Sequence, residues 1–329
     1  FWSNWSGVLD IANAVQVQRG LGSSKLAISS VGGTVNIVTK TIDRKEGGFI
    51  QQMVANDNYT KSTAYYSTGL MENGWAFSGM FGHWQGDGYV DHTEGQGQTY
   101  FLSLGYKPNE NNIFNFLITG APQWHAAAGT QRLSDFLNDE RGRRLNTWSV
   151  SGVDSHNNLR SGVYPGGRNS YHKPVANLSW DWNINEKSSL STVLYGSAGR
   201  GSFVVAIGDA YGRGSNNNHD WYGLVSNFSN DINENWNFNV GVDLRLYTGE
   251  HFRSVNDFLT VNSVSASSGF SGSYEITDAF GGINPWNVTF NTNDAHDQRF
   301  GYDYEEDINN MGVFGQIEYS KDKLSAFFQ

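Results

Sequence analysis

Residues 236–247 read WNFNVGVDLRLY, and this stretch decides the fold class of the chain. Its apolar and polar residues alternate, so Trp, Phe, Val and Leu share one face while Asn, Asp and Arg share the other. A period of two is the spacing at which side chains point to opposite sides of a β-strand. The stretch therefore predicts a strand with one apolar and one polar face. The same alternation recurs at residues 100–106, 173–185 and 311–319.

The connections differ at the two ends of the predicted sheet. Short polar links, such as residues 71–74, alternate with long segments at residues 86–97, 124–172, 201–218 and 251–308. Short turns at one end, long loops at the other and Trp or Tyr at strand ends are typical of transmembrane barrels. We therefore predict an all-β protein, a transmembrane antiparallel β-barrel. The other candidate strands cover residues 49–56, 60–69, 75–85, 113–123, 189–199 and 219–230, with a further strand starting at Leu324.

A soluble β-sandwich or barrel is the alternative to a membrane barrel, because its inner face is also apolar. The long candidate strands carry Asn, Ser and Gly on the face opposite the apolar one, which a dry soluble core does not favour. Loops above about 15 residues are also uncommon in compact soluble domains. The pattern as a whole favours the membrane barrel.

The composition excludes several other classes of protein. No apolar run approaches the roughly 20 residues that a transmembrane helix needs. The net charge of −10 argues against a nucleic-acid partner, and the absence of Cys removes disulfides and zinc–thiolate sites. The eight His residues are scattered without a metal-ligand spacing, and we expect most of them in solvated loops. We therefore expect no enzymatic activity, no catalytic residue, no cofactor and no metal site.

A second decisive stretch lies near the N-terminus, where residues 15–40 read VQVQRGLGSSKLAISSVGGTVNIVTK. It resembles the end of the plug domain of TonB-dependent outer-membrane receptors. Glycines permit tight turns there, and the run of Val35, Ile37 and Val38 suits a buried strand. Arg19 and Lys40 are expected to reach carboxylates on the polar inner wall of the barrel. The residues that carry the resemblance are Arg19, Gly20, Ser23, Ser24, Gly32, Gly33, Asn36, Thr39 and Lys40.

The resemblance implies an architecture. Residues 1–42 would be the C-terminal part of a small globular plug domain packed inside the barrel, and residues 43–48 a linker. Residues 49–329 would be the N-terminal half of a barrel that has about 22 strands in the full protein. About ten strands would be complete and an eleventh would begin at Leu324.

The resemblance also implies a function, the TonB-energised import of a scarce small extracellular ligand. The ligand would be an iron chelate, cobalamin, a glycan or a peptide. The partners would be TonB of the inner membrane, through a segment preceding residue 1, outer-membrane lipid and, in some branches, a surface lipoprotein. Two alternatives stay open: a passive porin, which has no need of residues 15–40, and a non-transporting scaffold subunit of an outer-membrane complex.

We expect the ligand at the long-loop end, because binding residues tend to sit on loops that a rigid scaffold holds. Aromatic side chains there can stack on a ring-bearing ligand, and Arg can attract an anion. A short helix is predicted with Leu133, Phe136 and Leu137 on one face. Opposite charges in the two longest loops also allow these loops to pair with each other. The candidate ligand-facing residues are Trp124, Arg143, Arg144, Trp148, Tyr164, Trp286, Tyr302 and Tyr304.

Overall fold

A computed structural model describes residues 7–19, 32–138, 140–148, 167–268, 272–280, 285–287 and 299–329. Two short helices occur, α1 (Leu133–Asn138) and α2 (Glu140–Arg144). In this part of the chain, no helix is both long and apolar enough to cross a membrane. The strands are β1 (Ala14–Arg19), β2 (Gly33–Val38), β3 (Gly47–Val54), β4 (Thr60–Ser67), β5 (Trp75–Gly86), β6 (Gly95–Asn109), β7 (Asn112–Gly120), β8 (Gln123–Ala126), β9 (Gly167–His172), β10 (Val175–Asn185), β11 (Ser188–Ile207), β12 (Tyr211–Asn233), β13 (Trp236–Phe258), β14 (Val264–Ser268), β15 (Gly272–Ile276), β16 (Arg299–Lys321) and β17 (Leu324–Phe328).

One large antiparallel sheet dominates the fold. Eleven of its strands follow one another as a meander in chain order, β3-β4-β5-β6-β7-β10-β11-β12-β13-β16-β17. Short β8 and β9 lie off this path, where they continue the sheet beyond the ends of β7 and β10. Ten complete strands and an eleventh from Leu324 were predicted, and both the all-β class and this path are confirmed.

The two faces of the sheet differ as the alternation predicted. Val240, Val242, Leu244 and Leu246 of β13 are all exposed on one face, which we call the outer face. Asp243 lies on the opposite, inner face and is buried. At the short-turn end, aromatic rings pair across neighbouring strands at the level where a membrane girdle is expected. These pairs are Trp75 with Tyr106 at 4.3 Å and Trp236 with Tyr319 at 4.9 Å between ring centroids.

Several strands extend beyond their predicted ends, so two predicted loops are wrong in part. Residues 201–218 form no long loop, because β11 and β12 stay paired from Ser188↔Asn230 to Ile207↔Tyr211. Residues 251–308 begin inside β13 and end inside β16. Beyond the apolar band of the outer face, outward side chains need not be apolar. The alternation of apolar and polar residues therefore fades there, although the strands stay paired through their backbones. The turn between β11 and β12 contains Gly208 at a φ of 54°, a conformation that glycine adopts without strain.

The N-terminal segment packs against the inner face. Ile11 is fully buried in a cluster with Met80 and Phe101 of the wall. Lys40 forms an ion pair with Asp181 at 2.7 Å, and Lys61 forms one with Asp10 at 2.6 Å. Apolar and charged inner-face positions thus both contact this segment, as a plug would require.

The strand β2 is less buried than predicted. It pairs with β1 and, within the described residues, with no other strand. Ile37 reaches the Ile11 cluster, but Val35 lies two residues further along the ribbon and is 51 % exposed. Within the described residues no third strand joins this ribbon, so the expectation of a buried strand fails at Val35.

Candidate functional site

The residues of the plug-like stretch fall into three groups. Gly20, Ser23 and Ser24 lie outside the described residues. Within the β1–β2 ribbon, Arg19 pairs with Gly33 through the backbone, and Asn36 donates a hydrogen bond to the Gln16 side chain at 3.0 Å. Gly32 precedes β2 at one end of the ribbon. Thr39 follows β2 at the other end, where Lys40 reaches the wall at Asp181. The predicted contact of Lys40 with an inner-wall carboxylate is therefore present.

Three of the ligand-facing candidates belong to strands rather than loops. Trp124 lies in β8, and Tyr302 and Tyr304 lie in β16. The reason is the extension of the sheet beyond the alternating part of each strand. Tyr164 lies outside the described residues.

The ligand-facing candidates in and near α2 lie at the long-loop end of the sheet. Arg143 is exposed in α2, and Trp148 is exposed nearby. Arg144 pairs with Asp57 at 3.0 Å and lies 4.7 Å from the Tyr89 ring centroid, so its charge is balanced within the protein. The predicted helix is confirmed as α1, and its apolar residues Leu133, Phe136 and Leu137 are exposed.

Trp286 packs on the outer side of the sheet. Its indole Nε1 donates a hydrogen bond to Gln98 at 2.9 Å, and its ring stacks on Tyr100 at 6.3 Å. Gln98 and Tyr100 share the outer face of β6 with Leu102, by the period of two. His172, at the end of β9, contacts the same turn, with its Nδ1 2.8 Å from Pro285 O.

A concave pocket of about 550 Å³ opens on the inner face at the long-loop end; we call it the mouth pocket. Tyr59 and Trp84 stack in its wall at 6.5 Å, and His125 of β8 lies opposite. Burial lowers the pKa of His125 below its usual range, so the imidazole is neutral at neutral pH. It can exchange a hydrogen bond with Asn169 at 3.3 Å. The pocket thus combines ring faces with polar groups, among them the Asp57 carboxylate that pairs with Arg144.

A second inner-face feature was not anticipated from the sequence, a row of aromatic and imidazole rings across β12, β13 and β16. We call it the aromatic ladder. The prediction that most of the histidines lie in solvated loops is wrong, because five of the six that the structure describes lie in strands, namely His83, His125, His172, His219 and His251. The ring centroids of His219 and His251 are 5.3 Å apart. The sequence did offer one signal for this row, the presence of aromatic residues at positions where the period of two predicts the polar face. The ladder consists of Tyr302, Tyr304, His251, His219, Tyr247 and Trp221.

Polar contacts hold the rings of the aromatic ladder in place. His219 Nδ1 lies 2.6 Å from the Tyr247 hydroxyl, and the His251 Nε2 lies 3.5 Å from a Glu306 carboxylate oxygen. His251 Nδ1 also lies 2.7 Å from the Asn217 side-chain oxygen. In the described part of the chain, no group of three or more His, Cys, Asp or Glu is placed to hold a metal ion. These rings and their polar neighbours can bind a ligand by stacking and by hydrogen bonding.

Several solved structures have a fold similar to that of this chain. No protein-family model and no curated protein sequence matches the chain. The ferric citrate transporter FecA in its unliganded form superposes with a TM-score of 0.61 at 17 % identity, covering 96 % of this chain and 48 % of that one. The ferripyoverdine receptor of the outer membrane of Pseudomonas aeruginosa, bound to ferripyoverdine, gives 0.63 at 12 %, covering 97 % and 41 %. The copper transporter OprC gives 0.64 at 11 %, covering 95 % and 40 %.

These likenesses show a shared fold. The chain spans about half the length of FecA and somewhat less of the other two structures. The names of these similar structures describe two transporters and one receptor.

Proposed function

We propose that this chain is part of an outer-membrane receptor that imports a scarce small extracellular ligand with energy supplied through TonB. The observation that carries the proposal is the N-terminal segment on the inner face, anchored by Ile11 in the wall and by the Lys40–Asp181 pair. A passive porin gains nothing from such a segment. The plug-like sequence at residues 15–40 and the fold of known receptors support the same function.

The domain assignment follows from this function. Residues 1–42 are the end of the plug, residues 43–48 the linker, and residues 49–329 about half of a barrel with roughly 22 strands. The outer face, with residues such as Val242 and Leu244, contacts outer-membrane lipid. TonB acts through a segment that precedes residue 1, and a surface lipoprotein is a further candidate partner.

The ligand meets the protein at the long-loop end, where the mouth pocket opens. Ferric citrate, ferripyoverdine and copper are the cargoes of the similar structures and are the first probes to test. Cobalamin, glycans and peptides are the other classes that this type of receptor imports.

Uptake by cells with and without TonB separates the candidate functions. A receptor takes up its ligand at low concentration only when TonB is present. A porin shows uptake that rises linearly with concentration and does not need TonB, and a scaffold subunit shows none. Either of the last two results contradicts the proposal.

Single-channel conductance tests the plug assignment directly. The full-length protein in a planar bilayer should be nearly closed, because the plug, of which residues 1–42 are the end, fills the lumen. Deletion of the whole plug through residue 42 should open a large, stable conductance. A deletion variant that stays as closed as the intact protein, while still inserting into the bilayer, would contradict the plug assignment.

A further inference from the structure

The mouth pocket takes its walls from two different connections of the sheet. Asp57 and Tyr59 belong to the β3–β4 turn, whereas Tyr89 and Thr93 belong to the β5–β6 loop. The strands themselves fix only where each connection starts and ends. The separation of these two connections therefore sets the width of the pocket.

The β3–β4 turn is a firm anchor. The Tyr59 backbone N donates a hydrogen bond to Asn56 O at 3.2 Å, and Asp57 and Asn58 have φ angles of 57° and 54°. Positive φ at both central residues is what the commonest two-residue hairpin turns require. The first residue of the β5–β6 loop reaches this turn, since the Asp87 N donates to Asp57 O at 2.9 Å. The remainder of that loop is held by other groups.

Arg144 of α2 joins the two walls. Its Nη1 donates to the Asp57 carboxylate at 3.0 Å and to Tyr89 O at 3.1 Å, and its guanidinium carbon lies 4.7 Å from the Tyr89 ring centroid. Hydrogen bonds between charged groups are stronger than those between neutral groups. The side chains of Arg144 and Asp57 are 38 % and 21 % exposed, so water screens this pair less than it screens a fully exposed one. One side chain therefore links the turn to the part of the β5–β6 loop that lines the pocket.

The backbone around Arg144 lies against the β5–β6 loop, and we call residues 140–148 the α2 arm. The Asp91 N donates to Arg144 O at 2.6 Å. Asn146 is 4 % exposed, and its side-chain amide donates to His92 O at 3.4 Å and to Ala127 O at 3.2 Å. These contacts hold the α2 arm on the loop, and the Arg144–Asp57 pair extends the attachment to the turn.

Trp148 anchors the end of the α2 arm on the sheet. A side chain at Gly129 or at Gly167 would collide with the Trp148 ring, so this ring packs over both glycines. Gly167 is the first residue of β9, and the ring centroid of Phe203 in β11 lies 6.2 Å from that of Trp148. An arm that is fixed here and along the β5–β6 loop keeps the Arg144 side chain between the two walls.

From these contacts we propose that Arg144 is a positioning residue of the mouth pocket, one that holds its two walls at a fixed separation. The proposal rests on the import function proposed above and deepens it at the same site. Arg144 acts through Asp57 and Tyr89, because its guanidinium group is already engaged by them. Walls that are fixed in advance do not have to be ordered when a ligand binds, which strengthens binding.

Spin-label distances test whether Arg144 holds the walls. Cys is absent from these 329 residues, so labels can be attached at Asn56→Cys in the β3–β4 turn and at Leu137→Cys in α1, which lies against α2. Both positions are exposed. The full-length receptor in detergent should give one narrow distance distribution between the labels. Arg144→Ala should abolish the narrow peak, whereas Arg144→Lys, which keeps a positive charge beside Asp57, should retain it.

The matched control is Arg132→Ala, which removes an exposed positive charge just before α1 in the same connection between β8 and β9. It should retain the narrow peak. A narrow peak that Arg144→Ala leaves intact would overturn the proposal, and so would a peak that Arg132→Ala abolishes just as completely.

Uptake by whole cells measures what the fixed walls contribute to import. The probes are ferric citrate, ferripyoverdine and copper, each supplied to cells with and without TonB. Arg144→Ala should raise the half-saturation concentration of TonB-dependent uptake about ten-fold and leave the maximal rate within about two-fold, because only the prior ordering of the loops is lost. Arg144→Lys and Arg132→Ala should leave both values unchanged.

The two measurements separate failure of the positioning role from failure of the import function. An unchanged half-saturation concentration in Arg144→Ala would overturn the positioning role even if the narrow peak is lost. Absence of TonB-dependent uptake of every probe by the unchanged receptor would instead remove the import function, and with it the role of Arg144 in import. The label distances would then still show whether Arg144 holds the two walls.

Discussion

Placing an arginine at Val242 tests whether the outer face meets lipid. Val242 is exposed on β13 between Ser226 of β12 and Val313 of β16. It lies six residues beyond Trp236, which at roughly 3.4 Å per residue and a tilt of about 40° is about 16 Å above the aromatic girdle. An apolar band is about 25 Å tall, so this position is close to the bilayer midplane.

An arginine at that depth costs about 2–4 kcal/mol of folding free energy. The folding equilibrium in lipid should fall about 30- to 700-fold, at roughly 1.4 kcal/mol per factor of ten. Guanidinium titration of the protein folded in phospholipid vesicles, followed by tryptophan fluorescence, measures the change.

The matched control is Val225→Arg, the same substitution on the inner face. Val225 pairs with Asp243, so the new guanidinium meets a buried carboxylate of the inner face. Its cost should stay below the cost at Val242, because an opposite charge lies beside it there and only lipid lies beside Val242. Equal, small costs of both substitutions would refute the lipid-facing assignment and favour a soluble barrel. A larger cost at Val225 than at Val242 would mean that the two faces have been assigned the wrong way round.

Three further changes test the packing of the inner face. Gly223→Ala should lower the thermal unfolding midpoint, because the added methyl displaces the Tyr195 ring at a cost of about 1–3 kcal/mol; an unchanged midpoint would show that the ring does not rest on this glycine. Ile11→Ala should destabilise the docking of the N-terminal segment by about 2–5 kcal/mol, measured as faster proteolytic cleavage there, and unaltered cleavage would contradict its burial in the wall. Lys40→Asp should weaken the docking of the segment by about 1 kcal/mol or less, because the ion pair is partly exposed, and should therefore speed the same cleavage modestly. Adding Asp181→Lys should restore the original cleavage rate; a rate that neither change alters would show that the pair contributes nothing.

The alternation of apolar and polar residues was enough to predict the parts of the strands that lie in the apolar band. Along residues 236–246, lipid on one side and a wet lumen on the other impose a strict period of two, which is visible without any knowledge of the fold. The path from β3 to β17 followed from the same pattern, since antiparallel neighbours joined by short links pair in chain order. The limits of β11, β12, β13 and β16 were missed, because beyond the apolar band no side-chain pattern marks a strand that its neighbours still hold by backbone hydrogen bonds.

The plug-like stretch shows the same division between local and tertiary information. Sequence alone marked residues 15–40 as a plug-like stretch with glycine turns and suggested that Lys40 reaches a carboxylate of the inner wall. Only the structure selected Asp181 as that partner, 141 residues away. The structure also left Val35 uncovered, because burial depends on which other elements stack on the ribbon.

The aromatic ladder was decided by tertiary structure alone. His219, His251 and Tyr304 are widely separated in sequence and share no spacing that predicts contact. They meet because the register of β12 on β13 and of β13 on β16 aligns inner-face positions of three strands. The sequence determined which side of each strand is apolar, since that requires only the period of two. Which rings stand side by side is fixed by cross-strand register, a property of the whole sheet that no single strand contains.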